Sequence, residues 1–419
     1  AGGAVVPDDV VPGGGSGRPA RRARIITRRD GSVAVAVIPP LTPRERSRRS
    51  RRLLVEREAE ALRPAVFMES FGGRSGGDNP AAICEDLAAH DVRAPLWWSV
   101  VDGTVPVPSG ARPVVVGSQE WVEALRTSRV IVTNDHLPSW FSKREGQHLL
   151  QTWHGTPIKK LLHDAPRAVT LRYRRLMDRQ VPQWDLLLAQ SPQAARRLQQ
   201  ALGYRGPVRV GEYPRNVRLL GGAEVRRRVR HELGIAPGKP VILYAPTWRE
   251  SLRPSTGAAG CATVHGPGPV GELDGPRLAE LLDAVVLMRS HHMNRGGCVP
   301  GMIDVSGYPS VEELMLAADI LVSDYSSIFF DFALTGKPAV AYVPDLTFYR
   351  DVERGLYGRW PLESGLPVAV DHDGLTSHLH RVLGGIDAAG GRCAPPEVDP
   401  VPILDNLAWI RGWVTRFLS

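Results

Sequence analysis

Cysteine is scarce in this sequence, and the few cysteines are widely separated. No two of them have the CxxC spacing of a metal or redox motif, and the four positions are Cys84, Cys261, Cys298 and Cys393. This distribution argues against a zinc cluster and against a disulfide framework. It is typical of proteins of a reducing compartment, and we expect neither a bound metal nor a cofactor.

Long hydrophobic runs are also missing. No stretch of 18 apolar residues occurs, which argues against a membrane-spanning helix. The glycine-rich start of the chain lacks the apolar core of a signal peptide. Because the chain begins without methionine, we expect that it was processed or that it belongs to a longer polypeptide.

Positive charge is present in excess. Lysine and arginine number 52 against 44 acidic residues, a formal net charge of +8, which favours nucleic acid, an anionic membrane surface or a phosphorylated substrate as partner. Fourteen arginines and five acidic residues lie between Arg18 and Arg63. This segment is either a solvated face or a contact for anionic lipid or another polyanion. Nucleic-acid binding has no support beyond charge, since the usual motifs are absent.

Short apolar segments alternate with helical segments over most of the chain. The expected strands fall into two series, 65–69, 96–101, 113–116, 130–133, 148–152, 184–189 and 208–210, then 241–244, 285–288, 303–305, 320–323 and 339–343. This alternation is typical of buried parallel sheets. We therefore predict an α/β protein with two Rossmann-like, doubly wound domains that face a cleft.

The length of 419 residues corresponds to two or three domains of about 150 residues. We assign 1–63 to a basic, partly flexible segment with a hairpin and a helix, and 64–216 to the first Rossmann-like domain. Residues 217–395 form the second such domain, with a linker near 216–225. We assign 396–419 to an amphipathic helix, whose apolar face over 404–418 is expected to carry Leu404, Leu407, Ile410, Trp413 and Phe417. The Gly/Pro-rich stretch 251–275 is expected to be a long loop.

A hydroxyl-rich segment follows the expected strand 320–323. Asp324 precedes an apolar helix that is expected over 326–335 and ends at Gly336, and Ser326 and Ser327 stand in its first turn. Free backbone N–H groups and hydroxyls at a helix start suit a phosphate group. The alternative is that Asp324 or Ser326 merely caps the helix.

A histidine follows another expected strand. The segment 151–160 places His154 after the strand, then a glycine turn, Thr156 and the cation Lys159. Ligands of open α/β sheets bind beyond the carboxyl ends of strands, where a histidine can accept a proton near neutral pH. The alternative is a structural histidine.

Three further polar segments stand at strand ends or at the junction of the two series. Arg289, His291 and His292 follow the strand 285–288, and the first two could meet phosphate oxygens. Metal binding by the two histidines and Cys298 has no regularly spaced fourth ligand. Arg215 lies in a YPRN segment at the junction, and Thr247 lies in a YAPTWR segment after the strand 241–244.

Five strings occur here in one order: QTWHGTPIKK, YPRN, YAPTWRE, RSH and SDYSSIFFDFALTGKP. Together with FMESFGGRSGGDNP at 67–80, they resemble the CDP-glycerol glycerophosphotransferase family, the teichoic acid polymerases and primases of bacterial cell walls. The resemblance covers roughly residues 64–385. It implies a GT-B architecture with the acceptor in the first domain and the donor, CDP-glycerol, in the second.

The resemblance also implies a reaction and residue roles. An acceptor hydroxyl attacks the β-phosphorus of CDP-glycerol, and CMP leaves. His154 resembles the catalytic base and His291 the histidine that contacts the donor pyrophosphate. The other implied positions are donor-binding Ser326, Ser327, Asp324, Arg289, Thr247 and Arg215, and acceptor or supporting Thr156 and Lys159. Family members often have Pro where this chain has His292, and we expect His291 to face the phosphate.

The expected function is therefore transfer of glycerol phosphate to a lipid-linked or growing polyol-phosphate chain. The alternatives are a CDP-ribitol-dependent transferase, a capsule polymer phosphotransferase, a GT-B nucleotide-sugar glycosyltransferase, and a non-catalytic polyanion- or membrane-binding module. The expected partners are CDP-glycerol, the lipid-linked acceptor and an anionic membrane surface, with no nucleic acid. The expected location is the cytoplasmic side of the bacterial membrane, by peripheral contact.

Overall fold

The structure is a computed structural model. It describes residues 9–11, 21–27, 33–58, 60–165, 168–247, 273–289, 301–388 and 398–419. Within these ranges, no helix is both long enough and apolar enough to cross a lipid bilayer.

The N-terminal segment carries a small antiparallel sheet. Its strands are β1 (Asp9–Val11), β2 (Arg21–Thr27) and β3 (Val33–Ile38), in the order β1-β2-β3. We expected a hairpin, and β1 adds a third strand. Two helices follow where we expected one, α1 (Pro43–Arg46) and α2 (Arg48–Glu56). The break falls at Ser47, which accepts a hydrogen bond from the Ser50 amide and thereby starts a second helix.

A seven-stranded parallel sheet follows, in the order β10-β9-β8-β7-β4-β5-β6. Its strands are β4 (Arg63–Glu69), β5 (Leu96–Val100), β6 (Arg112–Val115), β7 (Ser128–Thr133), β8 (His148–Gln151), β9 (Leu186–Ala189) and β10 (Val208–Val210). The accompanying helices are α3 (Asp78–Ala89), α4 (Gln119–Thr127), α5 (Leu171–Gln180) and α6 (Pro192–Leu202). The central strands are buried on both faces, as their continuous apolar runs predict.

A second, six-stranded parallel sheet has the order β13-β12-β11-β14-β15-β16. Helix α7 (Gly222–Glu232) leads into strands β11 (Val241–Ala245), β12 (Val285–Met288), β13 (Ile303–Asp304), β14 (Ile320–Ser323), β15 (Ala339–Tyr342) and β16 (Val368–Ala369). The other helices are α8 (Gly275–Leu281), α9 (Val311–Ala317), α10 (Ile328–Ala333), α11 (Leu346–Phe348) and α12 (His372–Ala388). The two sheets and their helices confirm the predicted α/β fold class.

The link between the sheets is helical. We expected a linker near 216–225, and a 3-10 helix occupies Pro214–Gly221 and continues into α7. This link packs against α3 of the first sheet and α9 of the second. It therefore holds residues at the contact between the two halves.

The last helix, α13 (Val401–Thr415), returns to the first half of the chain. Arg411 on α13 forms an ion pair with Asp86 on α3, and Asn406 donates to the carbonyl of Glu212. We expected an amphipathic helix over 404–418 with Leu404 on its apolar face, but Leu404 is 47% exposed because the buried face is formed by Ile403, Leu407 and Ile410.

Candidate functional site

His154 lies in the loop after β8, at the carboxyl end of the first sheet. Its ring stacks on Trp153, with centroids 4.8 Å apart, and meets Phe71 edge-on at 5.5 Å. Trp153 is buried and has a positive φ of 53°, and its carbonyl accepts a hydrogen bond from Asn79 on α3. These contacts fix the turn that presents the imidazole.

The imidazole is oriented by one hydrogen bond. Nδ1 of His154 lies 2.8 Å from the carbonyl oxygen of Asn134, which follows β7. A carbonyl can only accept, so Nδ1 carries the proton and Nε2 of the neutral ring keeps its lone pair. Asn134 also accepts from the Phe71 amide and donates to Ser70, so it joins both loops around the ring. The arrangement leaves Nε2 as the nitrogen that can accept a proton.

The serine pair lies at the start of α10, at the carboxyl end of the second sheet. Ser326 and Ser327 are half-buried, and Ser326 accepts a hydrogen bond from the Ile328 amide. Ser327 is the N-cap residue but makes no capping hydrogen bond through its side chain. The helix is shorter than the expected 326–335, and Gly336 with φ of 66° follows it.

Asp324 joins two strand ends beneath the serine pair. Its Oδ1 accepts from the amides of Thr247 and Tyr325 at 2.9 and 2.6 Å, and its carbonyl accepts from the indole of Trp360 at 3.0 Å. Thr247, which we expected among the donor ligands, thus contributes its backbone to this turn. Asp324 is buried and holds the turn rather than facing solvent.

The His154 loop and the serine pair touch each other across the cleft. A Cβ atom on Gly155 would lie 2.2 Å from Oγ and 2.8 Å from Cβ of Ser327. Nearby, Lys159 pairs with Leu356 in an isolated antiparallel bridge, and the Lys160 amide donates to the carbonyl of Gly355. The two sequence segments that we singled out first are therefore brought together from different sheets.

Behind this contact lies a buried polar network. Thr156 donates to Gln190 at 2.8 Å, and Gln190 donates to Oδ1 of Asp331 on α10 at 2.9 Å. Asn216 donates to the same oxygen at 3.1 Å. Glu212 lies beside these amides, and burial raises its pKa above the usual value. Thr156 thus connects the His154 loop to α10 rather than opening into solvent.

Arg215 occupies the centre of the network. Its Nη1 donates to Asp78 at 3.1 Å and to the carbonyl of His154 at 2.8 Å, and its Nη2 donates to Asp331 at 2.7 Å. The side chain is 7% exposed. Burial lowers the pKa of Arg215, but the carboxylates of Asp331 and Asp78 outweigh it and raise the pKa above the usual value. We expected Arg215 among the donor ligands, whereas these protein groups surround it.

Arg289 also turns toward the protein. Its Nη1 donates to the carbonyls of Val305 and Tyr308 at 3.2 and 2.8 Å, and burial lowers its pKa. The expected pyrophosphate ligand His291, together with His292 and Cys298, lies outside the described residues. Their roles stay predictions, and so does the loop expected over 251–275, of which 251–272 is likewise outside the described residues.

A buried carboxyl group stands at the same edge of the first sheet. Glu69, the last residue of β4, accepts a hydrogen bond from Ser99 at 2.6 Å, and Ser99 accepts one from the indole of Trp121 at 2.8 Å. Burial raises the pKa of Glu69 to about 7, and Asp135 acts in the same direction. This group lies close to the segment of Asn134 and carries no assigned role in the site.

Several residues of the site escaped the sequence analysis. Asn134 follows the apolar strand 130–133, so the rule that polar residues after strands mark a site applies to it as it does to His154. Asp331 stands inside an apolar helix, where a single acidic residue signals a buried partner. Gln190 and Asp78 carry no local signal, because their partners are distant in sequence.

Solved structures of related proteins share this architecture. A structure of the wall teichoic acid polymerase TagF superimposes with a TM-score of 0.73 at 27% identity, over 88% of this chain and 93% of that chain. Another TagF structure, obtained after a soak with CDPG, has a TM-score of 0.71 at 26% identity.

Curated relatives extend the similarity to sequence. The teichoic acid poly(glycerol phosphate) polymerase of Bacillus subtilis is 31% identical over 73% of this chain, which spans 42% of that protein. The polymerase of Bacillus spizizenii is 31% identical over 70% of this chain and 77% of its own length. The teichoic acid glycerol-phosphate transferase of Staphylococcus aureus is 30% identical over 76% of this chain and 83% of its own length.

The model of one protein family matches residues 54–386, a range that contains both sheets, the His154 loop and the serine pair. By this match, the chain belongs to the CDP-glycerol:poly(glycerophosphate) glycerophosphotransferase family.

Proposed function

We propose that this protein transfers glycerol phosphate from CDP-glycerol to a hydroxyl of a poly(glycerol phosphate) or lipid-linked acceptor, with release of CMP. The observation that carries the proposal is the contact between Gly155, next to His154, and Ser327 at the start of α10. The loop that carries His154 and the hydroxyl-bearing start of α10 meet there from opposite sheets. Phosphoryl transfer requires such positioning and charge stabilisation more than covalent catalysis.

The proposed step assigns one role to each side of the cleft. The acceptor O–H gives its proton to Nε2 of His154 while its oxygen bonds to the β-phosphorus of the donor. The bond from that phosphorus to the bridging oxygen breaks, and CMP leaves. Ser326 and Ser327 hold the donor phosphate through hydroxyl and backbone N–H groups, with Asp324 supporting their turn. His291 remains a proposed pyrophosphate ligand.

The test is CMP release by a His154→Ala variant. We expect turnover to fall at least a hundredfold while binding of CDP-glycerol changes less than threefold, because the base contributes to the reaction and not to donor affinity. His163→Ala is the matched control, since His163 is an exposed histidine of the same half that pairs with Asp178. Wild-type turnover in His154→Ala, or equal loss in both variants, would contradict the assignment.

The donor polyol is proposed to be glycerol. The ribitol-phosphate polymerase TarL of Staphylococcus aureus is 35% identical over 30% of this chain, whereas three glycerol-phosphate polymerases or transferases match 70% or more of it. CMP release from CDP-glycerol and CDP-ribitol at equal concentration compares the two. Faster release from CDP-ribitol would replace glycerol by ribitol in the proposal.

We also propose peripheral contact with the cytoplasmic face of the membrane, where a lipid-linked acceptor would be met. Arg48, Arg49, Arg51 and Arg52 on α2 are exposed, and each arginine near an anionic surface contributes about 1 kcal/mol of binding. Vesicle pelleting that falls with rising salt is the expected result. Equal pelleting with anionic and zwitterionic vesicles would remove this part of the proposal.

A further inference from the structure

The guanidinium of Arg215 links three groups that the fold brings from distant parts of the chain. Asp78 opens α3 beside the first sheet, the carbonyl of His154 belongs to the loop after β8, and Asp331 lies on α10 beside the second sheet. The planar fork of arginine suits such simultaneous contacts, whereas a lysine ammonium is a single point charge. Arg215 itself comes from the link between the sheets.

Asp331, the partner of Arg215 beside the second sheet, also binds several groups. Asp331 is 2% exposed. Its Oδ2 accepts from Arg215, and its Oδ1 accepts from Gln190 and Asn216. All three donors come from residues before α7, and Asp331 stands one turn into the helix that Ser327 caps. Residues that precede α7 therefore bind α10 through the carboxylate of Asp331.

We propose that the Arg215–Asp331 ion pair is a positioning device that sets the distance between His154 and the Ser326–Ser327 pair. One guanidinium holds the main chain of His154 on one side and the serine-bearing helix on the other. This inference rests on the proposed function for its catalytic consequence, but its geometric content is independent of it. Arg215 and Asp331 are positioning residues, since their contacts are with protein groups.

A positioning role and a purely stabilising role predict different effects for the two carboxylates that bind Arg215. Asp331 makes the bond across the cleft, while Asp78 binds Arg215 from the same side as His154. Asp78→Asn leaves the cross-cleft ion pair in place, and Asp331→Asn removes its charge with little change of shape. A stabilising pair would lose activity in proportion to its loss of folded protein, whereas a positioning pair loses turnover in the folded enzyme.

The kinetic experiment measures kcat and KM for CMP release in folded samples of each variant. We expect Asp331→Asn to lower kcat at least thirtyfold with KM for CDP-glycerol within threefold, and Asp78→Asn to lower kcat less than fivefold. Arg215→Lys keeps the charge but loses the fork, and we expect it to resemble Asp331→Asn. Arg218→Gln is the control from the same link, because Arg218 pairs with the half-exposed Glu85, and it should retain wild-type kinetics.

Hydrogen exchange supplies a readout that needs no activity. Asp331→Asn should speed exchange of the amides of 153–160 at least tenfold while those of β9 stay protected. If the wild type releases no CMP, the proposed function fails, and exchange alone decides the inference. Unchanged exchange in 153–160, or equal kcat in Asp331→Asn and wild type, would overturn it. A fall of kcat that follows the unfolded fraction in each variant would assign the pair to stability and also overturn it.

Discussion

Two buried clusters of arginine and aspartate occur at opposite edges of the second sheet. Asp331 lies beyond the carboxyl ends of the strands and meets Arg215 from the link. Asp319 lies just before β14, at the amino edge, and meets Arg226 and Arg230 of α7. The clusters contain the same chemical groups. Within the described residues, Arg215 of the first cluster has partners in both halves of the protein, whereas the partners of Asp319 come from the second half.

The Asp319 cluster is confined to one half. Asp319 Oδ2 accepts from the Val241 amide at the start of β11, and Arg226 also donates to the carbonyls of Leu316, Ala317 and Ala318. These bonds tie α7 to the sheet beneath it. The comparison teaches that the position of an ion pair relative to the strand ends, rather than its composition, separates fold stabilisation from placement of a reactive group.

Removal of the Asp319 charge at the amino edge of the second sheet should give the largest change in the free energy of unfolding. Asp319→Asn leaves Arg226 and Arg230 without their carboxylate, and we expect the free energy of unfolding to fall by about 3–5 kcal/mol. The kcat of the folded variant should stay within twofold of wild type, because the bonds that the described residues make with Asp319 lie at the amino edge of the second sheet, away from the His154 loop. Denaturant unfolding and CMP release at low temperature measure the two quantities. If Asp319→Asn lowered kcat as much as Asp331→Asn, the proposed difference between the two edges of the second sheet would be wrong.

The second prediction concerns Glu69, a buried carboxyl group that is bound by the hydroxyl of Ser99 and not by a guanidinium. Burial raises the pKa of Glu69 to about 7, whereas an unfolded glutamate titrates near 4.3. Between these values the folded protein keeps a proton that the unfolded chain releases. The contribution of Glu69 to stability is therefore full below about pH 4.3 and falls by about 3 kcal/mol as the pH rises to about 7.

Glu69→Gln removes this titration, since glutamine can still accept the hydrogen bond from Ser99. The free energy of unfolding of the wild type minus that of Glu69→Gln, measured from pH 4 to 8, should fall with rising pH. A difference that is flat, or that rises with pH, would show that Glu69 is ionised in the fold.

The third prediction tests the contact across the cleft by steric means. Gly155→Ala places a methyl group 2.2 Å from Oγ of Ser327, so the loop and α10 must separate. A displacement of about 1 Å at a reacting group lowers turnover about a hundredfold, or about 2.7 kcal/mol. We expect that loss in kcat with little change in the free energy of unfolding. Wild-type kcat in Gly155→Ala would contradict the idea that the contact between Gly155 and Ser327 sets the geometry of the site.

The alternation of strands and helices was predictable because parallel strands are buried on both faces. Every strand of the two series expected from β4 to β15 is present, with ends that differ from the expected ones by at most two residues. The two-residue β16 was not among the expected strands. Helices α4, α6 and α7 were not expected either. The start of α7 falls in the linker expected near 216–225, although the arginines of this helix bind Asp319.

The sequence by itself determined which local groups are available: an imidazole after β8, two hydroxyls after β14 and the apolar strands that carry both. These follow from short-range patterns, since strand burial and turn residues act over a few positions. The tertiary structure decided how they are combined. It made Arg215, which we expected among the donor-binding residues, the partner of Asp78 and Asp331, residues 137 and 116 positions away. Such contacts depend on how two sheets meet, and no local pattern encodes that distance.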